Sequence, residues 1–409
     1  MEAFPHLRRL GDGWAYDAVT FAPWVSVRDA GNGEQDEKDD DDGRGTTAKT
    51  TNAFVSKEAW IDVFARATGQ FVNRARDDLA SGREDAETRA EAFERAFDAA
   101  LEKCARAETS EEEIEALCRS ETNGGGAFGA PWTGINCLEL CRVRDGMLRR
   151  LGFEDCFASV KREENATALK ALRGVLDRLD AVESDSERLL EVVRGCFAGN
   201  IFDLGAAASA ELYDNGGVDF AATVLKLKGR PWCVDDFDAM QSRFASKTYA
   251  KAIVFVDNAG ADVCLGMIPF IRELIRRGTE VVVAANSVPS INDITALELE
   301  EQIIPFLKSD ELGDATLKDA IESGRLRVVA SGSDMPVIDL RYLSKEIVEE
   351  ARDADLVVLE GMGRGIETNL YARFSIDSVK LAMVKHKEVA TLLGGELYDC
   401  VCKFDEGDC

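Results

Sequence analysis

At 409 residues and 45% hydrophobic, the chain can bury one large core or two domains. Its formal net charge of −27 argues against non-specific binding to nucleic acid or an anionic membrane, which needs clustered Lys and Arg. A small anionic substrate is not excluded, because a metal or local cations reverse the field inside a single cleft.

The eleven cysteines contain no Cys-x-x-Cys pair, so neither a zinc ribbon nor a thioredoxin-type site is supported. Their odd number, and a start (Met1–Trp14) without an apolar signal core, predict reduced thiols in a soluble cytoplasmic protein. No apolar run approaches the roughly 18 residues of a transmembrane helix. With two histidines in the chain, a three-histidine zinc site is impossible.

Residues 1–50 read as an extended arm carrying a solvated acidic run, Glu34–Asp42. Residues 51–245 read as a helical domain. Trp60, Phe64, Ala67 and Phe71 share one helix face, and Phe93, Phe97, Ala100, Leu101 and Cys104 another. The Gly-rich break Asn123–Gly129 follows no strand and precedes no Gly-Lys-Ser/Thr, so it reads as a loop rather than a phosphate cradle. Helical spacing resumes over Leu138–Leu151, Leu169–Leu179, Ser186–Val193, Ala206–Tyr213 and Val218–Lys228.

Residues 246–409 alternate. Strands are expected at Ile253–Val256, Val281–Ala284, Leu326–Val329, Leu356–Leu359, Val379–Val384 and Leu397–Lys403. Helices are expected near Leu265–Arg277, Leu297–Phe306, Leu317–Ser323 and Ser344–Arg352. Short apolar runs separated by amphipathic helices predict a doubly wound α/β sheet, whose ligands bind beyond the carboxyl ends of the strands.

Polar clusters stop three of those strands. Asp257-Asn258, before Gly260 and Asp262, offers adjacent oxygen donors suited to a hard divalent cation. Asn292-Asp293 adds a second carboxylate, although the same residues also suit a helix cap. Glu360-Gly361-Met362-Gly363-Arg364 combines a carboxylate, glycines that allow close backbone approach, and an Arg suited to bidentate phosphate contact. Lys385, with His386 beside it, supplies another cation. A metal, an Arg and a Lys in one crevice suit a phosphoryl group. Asp257 is not followed by x-Asp, so a haloacid-dehalogenase mechanism is not supported, and no Gly-x-Ser-x-Gly elbow is present.

Phe255–Asp262, Ala285–Thr295, Glu360–Phe374 and Met383–Gly395 resemble the metal-dependent damage-control phosphatases. They resemble most the subgroup marked by EGMGR, which includes plant stand-alone proteins and the C-terminal domain of some pantothenate kinases. Cys141–Ala168 and Ala198–Leu212 match as well, so the resemblance runs from about residue 55 to 405. The acidic run and the Gly-rich stretch at 119–131 depart from it, away from the expected site.

The resemblance implies a helical domain packed on a Rossmann-like αβα domain. It implies a divalent metal (Mn²⁺, Co²⁺, Ni²⁺ or Mg²⁺) at Asp257, Asn258 and Asp293. It also implies hydrolysis of phosphomonoesters, with 4′-phosphopantetheine and its oxidised forms, or sugar phosphates, as substrates. Asp262, Glu360, Gly361, Met362, Gly363, Arg364 and Lys385 match positions expected to line the pocket. Asn200 and Asp203 join them from the helical domain, or else form a buried helix-start pair. The catalytic set is then Asp257, Asp293, Arg364 and Lys385, with Asp257 or Asp293 activating the water. Two readings compete: an S-adenosylmethionine-dependent methyltransferase, which would want more glycines after the first strand, and a non-catalytic phosphometabolite-binding protein. An exposed apolar helix face would suit a homodimer.

Overall fold

A computed structural model describes residues 2–10, 13–14, 55–77, 85–106, 136–201 and 220–407. The acidic run, the Gly-rich break, the helix expected at 206–213 and Asp203 lie outside them. Among the described residues no helix is long and apolar enough to cross a membrane.

The chain opens with a two-stranded ribbon, β1 (Arg9–Leu10) and β2 (Gly13–Trp14). The first helices are α1 (Lys57–Arg76), α2 (Ala86–Ala105) and α3 (Cys137–Arg150). Two longer-range ones follow, α4 (Ala158–Asp180) and α5 (Asp185–Asn200), and then the short α6 (Phe220–Lys226). Side chains satisfy several of their starts: the Ser56 hydroxyl accepts from Ala59 N–H, Asn136 Oδ1 from Glu139 N–H, and Ser184 Oγ from Glu187 N–H.

The main sheet comprises β3 (Val234–Asp235), β4 (Lys251–Phe255), β5 (Glu280–Ala285), β6 (Leu326–Ala330), β7 (Leu356–Glu360), β8 (Asp377–Met383) and β9 (Cys400–Asp405). Its order is β3-β9-β8-β7-β4-β5-β6. From β8 to β6 all neighbours are parallel; β9 is antiparallel to β8, and β3 parallels β9. All six strands expected from the sequence are present. The excursion after β8 begins and ends on one ladder, with Tyr398 N–H bonded to Val384 O and Val384 N–H to Asp399 O, so β9 must return antiparallel. The edge strand β3, with α7 (Phe237–Ser246) after it, precedes residue 246, where the sequence suggests that the αβα domain starts.

Alternation along β4 divides the core. Val254 and Val256 join α4, α5 and α7 and the helix α8 (Ile268–Arg276), while Ile253 and Phe255 face the other side with Phe4, Ile347 and Val348. A third apolar cluster joins α1, α2 and α3 to Met335, Val337, Met362 and Val384 at the crest of the sheet. The helical and α/β parts therefore meet over the strand ends. Further helices are α9 (Ala315–Glu322), α10 (Lys345–Ala351) and α11 (Lys387–Leu393), and a helical stretch of three short pieces runs from Ala296 to Leu307.

Candidate active site

Chain order reverses beside β4: β5 and β6 build outward on one side, β7 and β8 on the other. The crevice between the carboxyl ends of β4 and β7 is the switch point, where such sheets bind ligands. Asp257 follows β4 and Glu360 ends β7. The Asp257 backbone N–H donates to Glu360 Oε2 at 2.9 Å. Asn200, the last residue of α5, donates through Nδ2 to Asp262 Oδ2 (2.8 Å), Glu360 Oε1 (3.0 Å) and Asp257 Oδ2 (3.3 Å). Its Oδ1 accepts from Met383 N–H at 3.2 Å. Asn200 thus belongs to the crevice rather than to a local helix-start pair.

The turn after β7 begins at Gly361, with φ 95°, and continues as a π-helical segment, Met362–Glu367. A Cβ on Gly361 would sit 2.2 Å from Asp257 Oδ2, so only glycine lets the two strand ends approach this closely. The wide turn carries Arg364 back into the crevice, where it is 1% exposed. Its Nη1 contacts Asp257 Oδ1, and its Nη2 reaches Asp293 Oδ2 (2.5 Å) and Asn286 Oδ1 (3.0 Å). A second π-helical segment, Asp262–Met267, follows the other turn; such insertions are frequent at functional sites.

Asp293 is not the helix cap. Thr295 caps the segment Ala296–Glu298 in a reciprocal capping box with Glu298. Asp293 instead bridges Asn258 through the backbone and takes Lys161 Nζ on its carbonyl at 3.3 Å. Lys161 is fully buried in α4, paired with Asp155 (2.9 Å) and Glu298 (2.8 Å), so it anchors this turn from below.

Ligand oxygens of Asp257, Asp262 and Glu360 all lie within 4.8 Å of one another. Burial pushes the Asp257 and Glu360 carboxyls well above the usual carboxylate range and raises Asp262 too. Arg364 and Lys385 oppose the rise at Asp257. Burial works against the Arg364 charge, but Asp293 and Asp257 outweigh it, and the guanidinium stays protonated. The donors are all oxygens, and Asn258 Oδ1 and Asp262 Oδ1 are buried without a hydrogen-bond partner. This set fits a hard divalent cation.

Above the turns lies an open cleft. Asp257, Asn258, Asp293, Met362 and Gly363 line it. The other expected residues (Asn200, Asp262, Glu360, Gly361, Arg364 and Lys385) are buried but do not line it. Lys385 is anchored by its backbone N–H on Met362 Sδ at 3.1 Å. The walls come from residues that sequence reading left as scaffold: Val63, Phe64 and Phe71 of α1, and Cys137, Cys141 and Arg144 of α3. The i, i+4, i+7 spacing of the last three put them on one helix face, without saying what it faced. Glu367 and His386 complete the wall.

Residues 63–401 match the family described as "Damage-control phosphatase ARMT1-like domain". The chain belongs to this family. It is 47% identical over 354 residues to "Damage-control phosphatase At2g17340" of Arabidopsis thaliana, covering 87% of this phosphatase and 89% of that one. It is 39% identical over 377 residues to "Pantothenate kinase 2" of Arabidopsis thaliana, and 30% identical over 414 residues to "4'-phosphopantetheine phosphatase" of Mus musculus. These matches cover 85% and 88% of this phosphatase, but 39% and 47% of the two longer relatives.

Proposed function

We propose that this phosphatase hydrolyses phosphomonoesters of small metabolites, with a divalent cation in the crevice, in a metabolite damage-control role. The observation that carries the reading is the pairing of buried oxygen donors with Arg364 under a cleft walled mostly by apolar side chains. Such a wall suits an extended, uncharged leaving group. Similarity to the mouse 4′-phosphopantetheine phosphatase supports 4′-phosphopantetheine and its oxidised derivatives as the first substrate class to test, with sugar phosphates as the second.

In this reading Asp257, Asn258 and Asp293 hold the metal, and the carboxyls of Asp262 and Glu360 back them. The bound cation (Mn²⁺, Co²⁺, Ni²⁺ or Mg²⁺) supplies Lewis-acid polarisation of the phosphoryl group. Arg364 and Lys385 neutralise charge that develops on the phosphoryl oxygens. The glycine turn, Gly361–Gly363, presents backbone to the phosphate, and Asp257 or Asp293 takes a proton from the attacking water. Nothing favours the methyltransferase reading: Glu164 fills the space beside Gly260, its Cβ 2.9 Å from where a Cβ on Gly260 would lie.

The test is turnover of p-nitrophenyl phosphate, then of a panel of phosphopantetheine derivatives and ketose phosphates. EDTA should silence the enzyme and added Mn²⁺, Co²⁺ or Ni²⁺ restore it. Asp257→Ala should abolish turnover while leaving circular dichroism unchanged. Undiminished turnover in EDTA, or wild-type turnover by a folded Asp257→Ala protein, would overturn the proposal.

A further inference from the structure

Hydrolysing an alkyl phosphate requires the departing alkoxide, a strong base, to be protonated or otherwise stabilised. The residues assigned so far cluster at the phosphate end of the cleft. A titratable pair, His386 and Glu367, lines its wall without a role in that scheme.

His386 stands at the N-cap of α11, a position usually held by Ser, Thr, Asp or Asn, yet its side chain makes no cap bond. Its Nδ1 instead lies 2.9 Å from Oε1 of Glu367, a carboxylate only 5% exposed. Trp60 meets the ring edge-on, centroids 6.1 Å apart at 81°, and limits its rotation. The other Glu367 oxygen, Oε2, accepts from the Cys137 thiol at 3.7 Å, so the carboxylate is itself held. With Nδ1–H directed at Glu367, the nitrogen left for chemistry is Nε2, which has no partner among the described residues. Among the described residues, charged groups near this pair include Lys385 and Glu388 on its own segment, Arg66 of α1, which pairs with Glu388 at 2.5 Å, and Arg144 of α3 in the same cleft wall.

We propose that His386, oriented by Glu367, is the general acid that protonates the leaving-group oxygen; this rests on the phosphomonoesterase reading above. As the bond from phosphorus to the attacking water oxygen forms, the ester P–O bond breaks, and the Nε2 proton passes to the departing oxygen, releasing the alcohol. The proton given up by the water offsets the one delivered, and neutral His386 is recharged from solvent. Glu367 keeps its hydrogen bond throughout and holds the ring in place. His386 is then a catalytic residue and Glu367 a positioning residue.

The experiment compares an alkyl monoester, 4′-phosphopantetheine or glycerol phosphate, with p-nitrophenyl phosphate, whose leaving group departs readily without a proton. His386→Gln should lower kcat/KM on the alkyl ester by about 10²- to 10⁴-fold, the usual range for general acid catalysis. Its loss on p-nitrophenyl phosphate should be at least tenfold smaller. Glu367→Ala should show the same selective loss on the alkyl ester as His386→Gln, because the ring is no longer held by the 2.9 Å contact. Mn²⁺ affinity, measured by calorimetry, should persist in both variants. Equal losses on the two substrates, or no loss, would overturn the assignment. A wild-type enzyme that hydrolyses neither ester would instead remove the phosphatase reading beneath it.

Discussion

The backbone N–H of Asp257, just past β4, donates to the Glu360 carboxylate that ends β7. The bond spans the point where strand order reverses, and so ties the two halves of the sheet at the site itself. Burial and the neighbouring carboxylates keep Glu360 well above the usual range. Glu360→Gln, which mimics the protonated acid, should therefore retain nearly full stability in urea. Glu360→Ala strands the Asp257 N–H and should cost about 1–3 kcal/mol. Equal losses in the two variants would mean that the Glu360 charge itself is required.

Gly361→Ala should lose both turnover and stability. Its φ of 95° and the 2.2 Å approach of the new Cβ to the Asp257 carboxylate leave no room without moving Asp257, a donor in the proposed metal site. Gly394→Ala is the control: φ is 69° there, but nothing lies within 4 Å. It should cost only backbone strain, about 1–2 kcal/mol, and leave kcat unchanged. Thermal melts and steady-state rates separate the two cases.

Arg364→Met removes the cation between Asp257 and Asp293 and leaves both carboxyls buried. Breaking such a pair costs about 3–5 kcal/mol. A divalent cation held by these carboxyls, as proposed above, stabilises both proteins by binding the folded state, and the variant more, because no guanidinium competes for the oxygens. The stability gap between variant and wild type should therefore narrow when excess Mn²⁺ replaces EDTA, while turnover stays low. A gap that ignores the metal would argue that the cation binds elsewhere.

Asp377 predicts an acid-dependent effect far from the crevice. It accepts from Arg243 Nε (2.8 Å), Tyr249 OH (2.9 Å), Gly407 N–H (2.9 Å) and Lys247 Nζ (3.3 Å). Burial alone would raise its carboxyl, but these donors outweigh it and hold it below the usual range. A carboxyl lowered on folding adds stability that is fully present above its unfolded value and lost as pH falls through the folded one. Asp377→Asn should therefore cost about 1–3 kcal/mol at neutral pH. The cost should shrink below about pH 4, near the unfolded value, in urea melts across pH. A pH-independent difference would count against the ionised contact.

Much of the α/β half was legible because buried parallel strands are short, continuous apolar runs, and three of them ended at a polar turn. The edge strand β3 was not: two residues, Val234 and Asp235, carry no period. The helices announced their apolar faces but not their partners. α1 and α3 were readable as amphipathic, whereas their role as cleft walls depends on docking against Ile291, Val337 and Met362.

The amino-acid order by itself determined six of the seven strands of the main sheet, the polar stops at Asp257-Asn258 and Asn292-Asp293, and the glycines of Glu360–Arg364, because each is a property of near neighbours. Tertiary structure decided which groups meet. Asn200 reaches Glu360 across 160 positions, and Arg364 reaches Asp293 across 71. Only the placement of β7 beside β4, with α5 over their ends, brings these residues together. The same packing decided that Thr295 and not Asp293 caps its helix, leaving the aspartate to face Arg364. Local sequence cannot specify that choice, because both residue types are competent caps and only long-range partners distinguish them.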